Sequence, residues 1–365
     1  MFKGQGNSNI VGEIAENIES HPKVEDVVVY EEIATNPEQE NKEELDKEKP
    51  QEPATKPEGN EKEMNFIALG EIMFGGKEYT SYSLPFKNIS EICKESNFTI
   101  ASLATNIVDI DEIKDPKSKY IVTKDVTKAF NTLGIDAINV ATDHMMDFSL
   151  NIFNGTKNIL KEENIDIVGL QNDIIYAEND GIKVAFIGVC NEIIGSYSKY
   201  LEAGICMYDD YMINLKGLIN KAKQNANTVV LITHLGMENQ HEVTDVMSWF
   251  YRELINAGAD VVLGNHAVGV YPIEMYKGKP IIYSLGYSIT DSEYEIAKKS
   301  GIFKFRVDVT GRLAEIEITP TYLKNNEVML YHEYNAQEAN KFLKYIVSDE
   351  ELDYEIKNNK LYIKL

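Results

Sequence analysis

A chain of 365 residues with 43% apolar side chains can bury a large core, in one big α/β domain with extensions or in two ordinary ones. Its 59 acidic against 36 basic residues leave −23 at pH 7, which argues against nucleic acid and opposes an anionic membrane surface. Three cysteines without a C-x-x-C pair indicate neither a disulfide framework nor a zinc finger, and no apolar run reaches the roughly 18 residues of a membrane-spanning helix.

Residues 1–63 read as an acidic N-terminal extension. They hold 17 acidic and 7 basic residues and five of the ten prolines. Ile10, Val11, Ile14 and Ile18 share helical spacing and 27–30 could be a short strand, so this is a docking element on a tether or a frayed tail. Residues 36–63 have almost no apolar side chain and read as a disordered, self-repelling linker. The first residues lack the apolar stretch of a signal peptide.

From residue 64 the pattern alternates. Strands are expected at 66–69, 98–103, 137–141, 183–189, 228–233 and 259–263. Helices are expected near 84–96, 126–133, 152–163, 211–224 and 243–256. The end turns to β, with strands at 273–276, 280–285, 303–309 and 313–318 and hairpin turns at 276–280 and 308–312. Cys190, inside an apolar run, reads as core. The domain is therefore placed at 64–325, with 326–365 a C-terminal extension packing on it or following it. The fold class is α/β, layered, with a mixed sheet or two packed sheets.

The polar residues worth attention stand just past the strands. Gly70-Glu71 follow the first, Thr142-Asp143-His144 and then Asp147 the third. His234-Leu235-Gly236-Met237-Glu238 and Gly264-Asn265-His266 close two more. Three of the six histidines thus end a predicted strand. Carboxyl ends of strands are where α/β sheets place chemistry, and imidazole with carboxylate suits Zn, Mn or Fe. Asp147 reads either as a cap for a helix near 148–150 or as a site residue, and Glu238 either as a solvated charge or as one.

From 65 to 320 these motifs resemble the CapA/PgsA family of bacterial poly-γ-glutamate capsule-synthesis proteins, whose fold is similar to the calcineurin-like metallophosphatases. Gly70-Glu71-Ile72-Met73-Phe74-Gly75 stands where the family has Gly-Asp-Ile-Met-Leu-Gly, and Ala101-Ser102-Leu103-Ala104 where it has Ala-Asn-Leu-Glu. Ala141-Thr142-Asp143-His144 matches its Ala-Asn-Asn-His, and Gly264-Asn265-His266-Ala267-Val268 its Gly-x-His-Pro-His, followed by Tyr283-Ser284-Leu285-Gly286. The resemblance implies an αββα metallophosphatase-like sandwich with mixed sheets. It also marks departures: Ala104 replaces a carboxylate, Val268 an imidazole, and Tyr287 an asparagine.

The implied metal ligands are Glu71, Asp143, His234 and His266, a set thin enough that one divalent transition metal (Mn, Zn or Fe) or none is expected. The implied substrate contacts are Asp147, Glu238 and Asn265. Two roles follow. One is a capsule protein acting in synthesis, export or attachment of an anionic polymer, partnered by that machinery or by the polymer itself. The other is a metal-dependent hydrolase with His144 and Asp143 as catalytic residues, His144 as general acid and water activated by the ion as nucleophile. A non-catalytic interaction protein is the third. The resemblance implies the cell envelope. The lack of a signal or anchor in these residues leaves the cytoplasm as the alternative.

Overall fold

Strand Met64–Ile72 lies in the middle of the larger of two sheets, and up to the register irregularity between Ala68 and Glu71 its side chains divide by parity. Met64, Phe66 and Ala68 face one apolar cluster, Ile67 and Leu69 another. That is the period of a strand buried on both faces, and it explains why the sequence shows a continuous apolar run there. The computed structural model describes residues 62–75, 79–109, 120–191, 197–208, 213–235, 242–348 and 352–365. The elements expected at 10–18 and 27–30, the 36–63 linker up to residue 61, and Glu238 lie outside the described residues.

Two mixed sheets face each other. The ten-stranded sheet runs Tyr354–Lys357, Lys360–Lys364, Leu313–Lys324, Lys299–Val307, Met64–Ile72, Phe98–Leu103, Ala137–Asn139, Asp166–Val168, with Tyr287–Ile289 and Glu327–Leu330 paired off this path. The six-stranded sheet runs Ile273–Tyr276, Lys279–Ile282, Val261–Asn265, Thr228–His234, Ile182–Cys190, Ile175–Asn179. Its four inner strands are parallel and both edges are antiparallel.

Between the sheets lie Phe66, Phe98, Val184, Phe186, Val230, Ile232, Leu263, Phe303 and Phe305. Phe66 stacks on Phe305 with ring centroids 4.6 Å apart and meets Phe186 of the other sheet edge-on at 5.2 Å. Each such side chain contributes on the order of 1.5–3 kcal/mol by leaving water.

Helices Thr127–Leu133 and Leu150–Glu162 cover the outer face of the larger sheet through Phe130, Leu133, Phe153 and Leu160. Helices Ile213–Asn225 and Asp245–Asn256 cover the smaller sheet through Leu215, Ile219, Tyr251 and Leu254. The layers are αββα, as expected.

Several details depart from the sequence reading. The helix expected at 84–96 is a 3₁₀ turn, Leu84–Phe86, and a single α-turn, Ser90–Cys93. Pro85 starts the segment, and Ser90 Oγ donates to Lys87 O at 3.2 Å while Ser96 Oγ donates to Phe98 O at 3.1 Å, so side chains compete with helical bonding. Residues 326–365 continue the larger sheet, with strand Lys360–Lys364 pairing antiparallel to Leu313–Lys324. Helix Tyr331–Ile346 sends Phe342, Leu343 and Ile346 into the inter-sheet core. Cys190 is fully buried.

Candidate metal centre

The two sheets end side by side, and the strand-end residues meet there. Glu71 is set by a close backbone crossing. A Cβ on Gly70 would sit 2.3 Å from Gly286 O, so only glycine admits that strand, and Glu71 N donates to the same oxygen at 2.9 Å. Asp143 lies in the turn after Ala137–Asn139. Thr142 Oγ1 donates to Leu103 O at 2.8 Å and Asn106 Nδ2 to His144 O at 3.1 Å, and the Tyr200 hydroxyl donates to Asp143 O. His234 is the last residue of Thr228–His234. His266 follows Val261–Asn265 with φ +81°, a left-handed backbone that ends the strand and turns the imidazole toward its neighbours.

Asp143 is the hub. Its Oδ1 is 2.8 Å from His234 Nε2, and its Oδ2 is 3.3 Å from His266 Nδ1 and 3.5 Å from His144 Nε2. Asp143, His234 and His266 each offer one ligand atom, and the three atoms lie within 4.8 Å of one another. The two imidazole centroids are 4.6 Å apart. Glu71 Oε1 stands 3.6 Å from His234 Nδ1 on the other side.

Burial without hydrogen bonding marks this cluster. His234 and Glu71 are each 2% exposed, yet neither ring nitrogen of His234 is hydrogen-bonded, nor is Glu71 Oε1. His234 Nε2 nevertheless stands 2.8 Å from Asp143 Oδ1, an ion-pair contact, while Nδ1 faces Glu71 without bonding it. Buried polar atoms are ordinarily paired, and donors that approach without bonding one another are disposed as ligands of a common ion would be. Burial pushes the Glu71 carboxyl above its ordinary value, with His234 opposing. Burial would also raise Asp143, but His234 and His266 overcome it and hold that carboxyl well below the usual range.

His144 occupies the rim. Its Nδ1 is 2.7 Å from Asp147 Oδ2, and its ring stacks on Tyr120 with centroids 3.5 Å apart. Burial would lower its pKa, but the bond to Asp147 and the charges of Asp143 and Asp147 raise it overall. Helix Leu150–Glu162 is capped by Ser149, whose side chain accepts from Ile152 N at 3.3 Å, so the capping alternative for Asp147 does not hold. Asn265 is buried and gives its Nδ2 to Ser102 Oγ at 3.0 Å, behind the cleft. The cleft, about 300 Å³, is lined by Glu71, Asp143, His144, His234 and His266, with Ala104 and Val268 in its wall. Neither the Tyr120 stack nor the Tyr200 contact can be anticipated from local pattern, because both are tertiary.

Helices over two facing sheets, with carboxylates and imidazoles gathered at the strand ends, define a layered α/β protein with a candidate metal cleft. The family model described as "Bacterial capsule synthesis protein PGA_cap" matches residues 65–292, more than half of the chain, and the protein belongs to that family. The PGA biosynthesis protein CapA of Bacillus subtilis (strain 168) is 24% identical over 267 residues, 69% of this chain and 70% of that protein. The capsule biosynthesis protein CapA of Bacillus anthracis is 25% identical over 287 residues, 72% of this chain and 67% of that one. Among solved structures, Haemophilus influenzae NAD nucleotidase aligns with a TM-score of 0.43 and 13% identity, over 78% of this chain and 56% of that one. The chain thus spans little more than half of that nucleotidase. Among the described residues no helix is long and apolar enough to cross a membrane.

Proposed function

We propose that the protein acts at the cell envelope in the synthesis, export or attachment of an anionic polymer of the poly-γ-glutamate type, through a cleft where Asp143, His234 and His266 hold one divalent transition metal. The observation that carries this is the convergence of three donor atoms within 4.8 Å around a buried imidazole whose Nδ1 has no hydrogen-bond partner. Two imidazoles and a carboxylate fit Zn, Mn or Fe. When bound, such an ion supplies Lewis-acid polarisation of an oxygen ligand. It also answers a charge problem, since a protein of net charge −23 repels a polyanion unless a cation stands at the contact.

The residues of the chain divide the remaining work. Asp143 orients both imidazoles, Glu71 backs His234, and His144 holds a proton at the rim with Asp147 fixing its ring. Ala104 and Val268 add no ligand, which supports one ion rather than two. Elemental analysis of protein purified without chelator tests this. About one equivalent is expected, and His266→Ala should abolish it while far-UV circular dichroism stays native. Two tightly held equivalents would overturn the single-ion reading.

The His144–Asp147 pair favours a second reading, metal-dependent hydrolysis with His144 as general acid, because a carboxylate at 2.7 Å orients an imidazole for proton transfer. Brisk metal-dependent hydrolysis lost in His144→Ala would make that reading the better one.

A further inference from the structure

Directly beneath the three donors the sheets are joined by a buried polar contact. Ser102 Oγ accepts a hydrogen bond from Asn139 Nδ2 at 3.0 Å and another from Asn265 Nδ2 at 3.0 Å. Ser102 and Asn139 are register partners on adjacent strands of the ten-stranded sheet, whereas Asn265 ends a strand of the six-stranded sheet. All three are at most 1% exposed. Asn139 Oδ1 in turn accepts from Ala141 N at 3.2 Å, fixing the bend that leads to Asp143.

The surroundings are shaped to admit this polar group. Gly188, on the six-stranded sheet, faces the Asn139 amide, and a Cβ there would come within 2.2 Å of Asn139 Oδ1. Asn265 Oδ1 is buried with no partner at all. An apolar contact would pack at this level without an orphaned acceptor, so the network is a poor way merely to stabilise the core. Its placement suggests a different use. Asp143 comes four residues after Asn139, His266 comes next after Asn265, and Glu71 is the register partner of Ser102.

We propose that Ser102 is a positioning residue for the donor cluster: its hydroxyl clamps the two sheet ends that carry Asp143 and His266, and so keeps their donor atoms at ligating separation. The proposal rests on the metal-centre reading above. Without the hydroxyl both amides lose their common acceptor, and the sheet ends are free to shift relative to each other. Metal sites tolerate only about 0.2 Å of error in ligand distance, so a small shift is enough to weaken the site.

The test compares Ser102→Ala, Ser102→Thr and, as a control, Ser300→Ala, which removes another buried serine hydroxyl whose bond goes to Leu285 O at 2.9 Å. Zn²⁺ and Mn²⁺ affinities are measured well below the unfolding temperature, and the histidine ring resonances are recorded in metal-free protein. Ser102→Ala should bind roughly 10–100-fold more weakly, the usual effect of losing an outer-shell partner, and should move or broaden the His234 and His266 signals. Ser102→Thr, which keeps the hydroxyl, should recover most of the affinity, and Ser300→Ala should leave it unchanged. Wild-type affinity and unmoved resonances in Ser102→Ala would overturn the proposal, as would an equal loss in Ser300→Ala. Should the wild type take up no metal, the metal-centre reading falls and the resonances alone decide: moved signals uphold the clamp, unmoved signals overturn it. If Ser102→Ala does not fold, Asn265→Ala, which removes one arm only, carries the same comparison.

Discussion

The ten-stranded sheet contributes the carboxylates of the cleft, and the six-stranded sheet contributes two of its imidazoles. Glu71 and Asp143 come from the first, His234 and His266 from the second. Neither sheet carries both donor types of the candidate set alone, so the proposed centre can form only where the two pack together. The apolar interface that holds the sheets face to face therefore sets the ligand geometry as well as the stability.

The strongest way to break the comparison is at that interface. Phe66→Ala removes the ring that stacks on Phe305 within one sheet and meets Phe186 of the other. It should cost about 3–5 kcal/mol in denaturant unfolding, and metal uptake should fall with it. A variant of that stability loss with unchanged uptake would separate the centre from the packing.

A smaller effect isolates the hub. In metal-free protein the Asp143 carboxyl titrates well below its ordinary 3.8. Its contribution is therefore fully present above about pH 4 and is lost as pH falls through the depressed folded value. Asp143→Asn should cost roughly 1.5–3 kcal/mol at neutral pH, the scale of a charge-assisted contact. It should also flatten the acid limb of the stability profile, and a limb as steep as the wild type's would show that His234 and His266 do not hold the charge.

Smallest is the rim. His144 titrates above its ordinary 6.5, so its contribution is present below that pH and disappears as pH rises through the folded value. Asp147→Asn should move the His144 titration downward by NMR and change stability by less than about 1 kcal/mol, since the pair is partly open to water. An unmoved titration would mean the pair does not form in solution.

Much of this was legible in the sequence because parallel strands buried on both faces leave unbroken apolar runs, as at 228–233 and 98–103, and because such runs stop where the chemistry begins. Strand Ile175–Asn179 was not legible. It is an antiparallel edge with only Ala177 of its five residues buried, so its composition mixes polar and apolar. Helix Tyr331–Ile346 was missed because it is kinked at Asn335, where φ is −157°, and buries only a narrow stripe. The hairpin 354–364 turns through Asn358 and Asn359, both at positive φ, without the glycine that usually announces such a turn. Within the site, the convergence of strand-end residues could be anticipated from their common position. The shared acceptor at Ser102 could not, because it joins positions 102, 139 and 265 through space alone.

The left-handed backbone at His266 has a consequence for how such a centre decays over generations. Among the described residues, the other non-glycine residues at positive φ are asparagines, an aspartate and a lysine; His266 is the one histidine. Glycine or asparagine at 266 would ease the backbone while deleting the imidazole. Ordinary selection for a sturdier fold thus pulls this position away from metal binding, and only a use for the ion pulls it back. Residue 266 is therefore a tell-tale: in a lineage without the proposed ion, loss of this candidate ligand would ease the backbone.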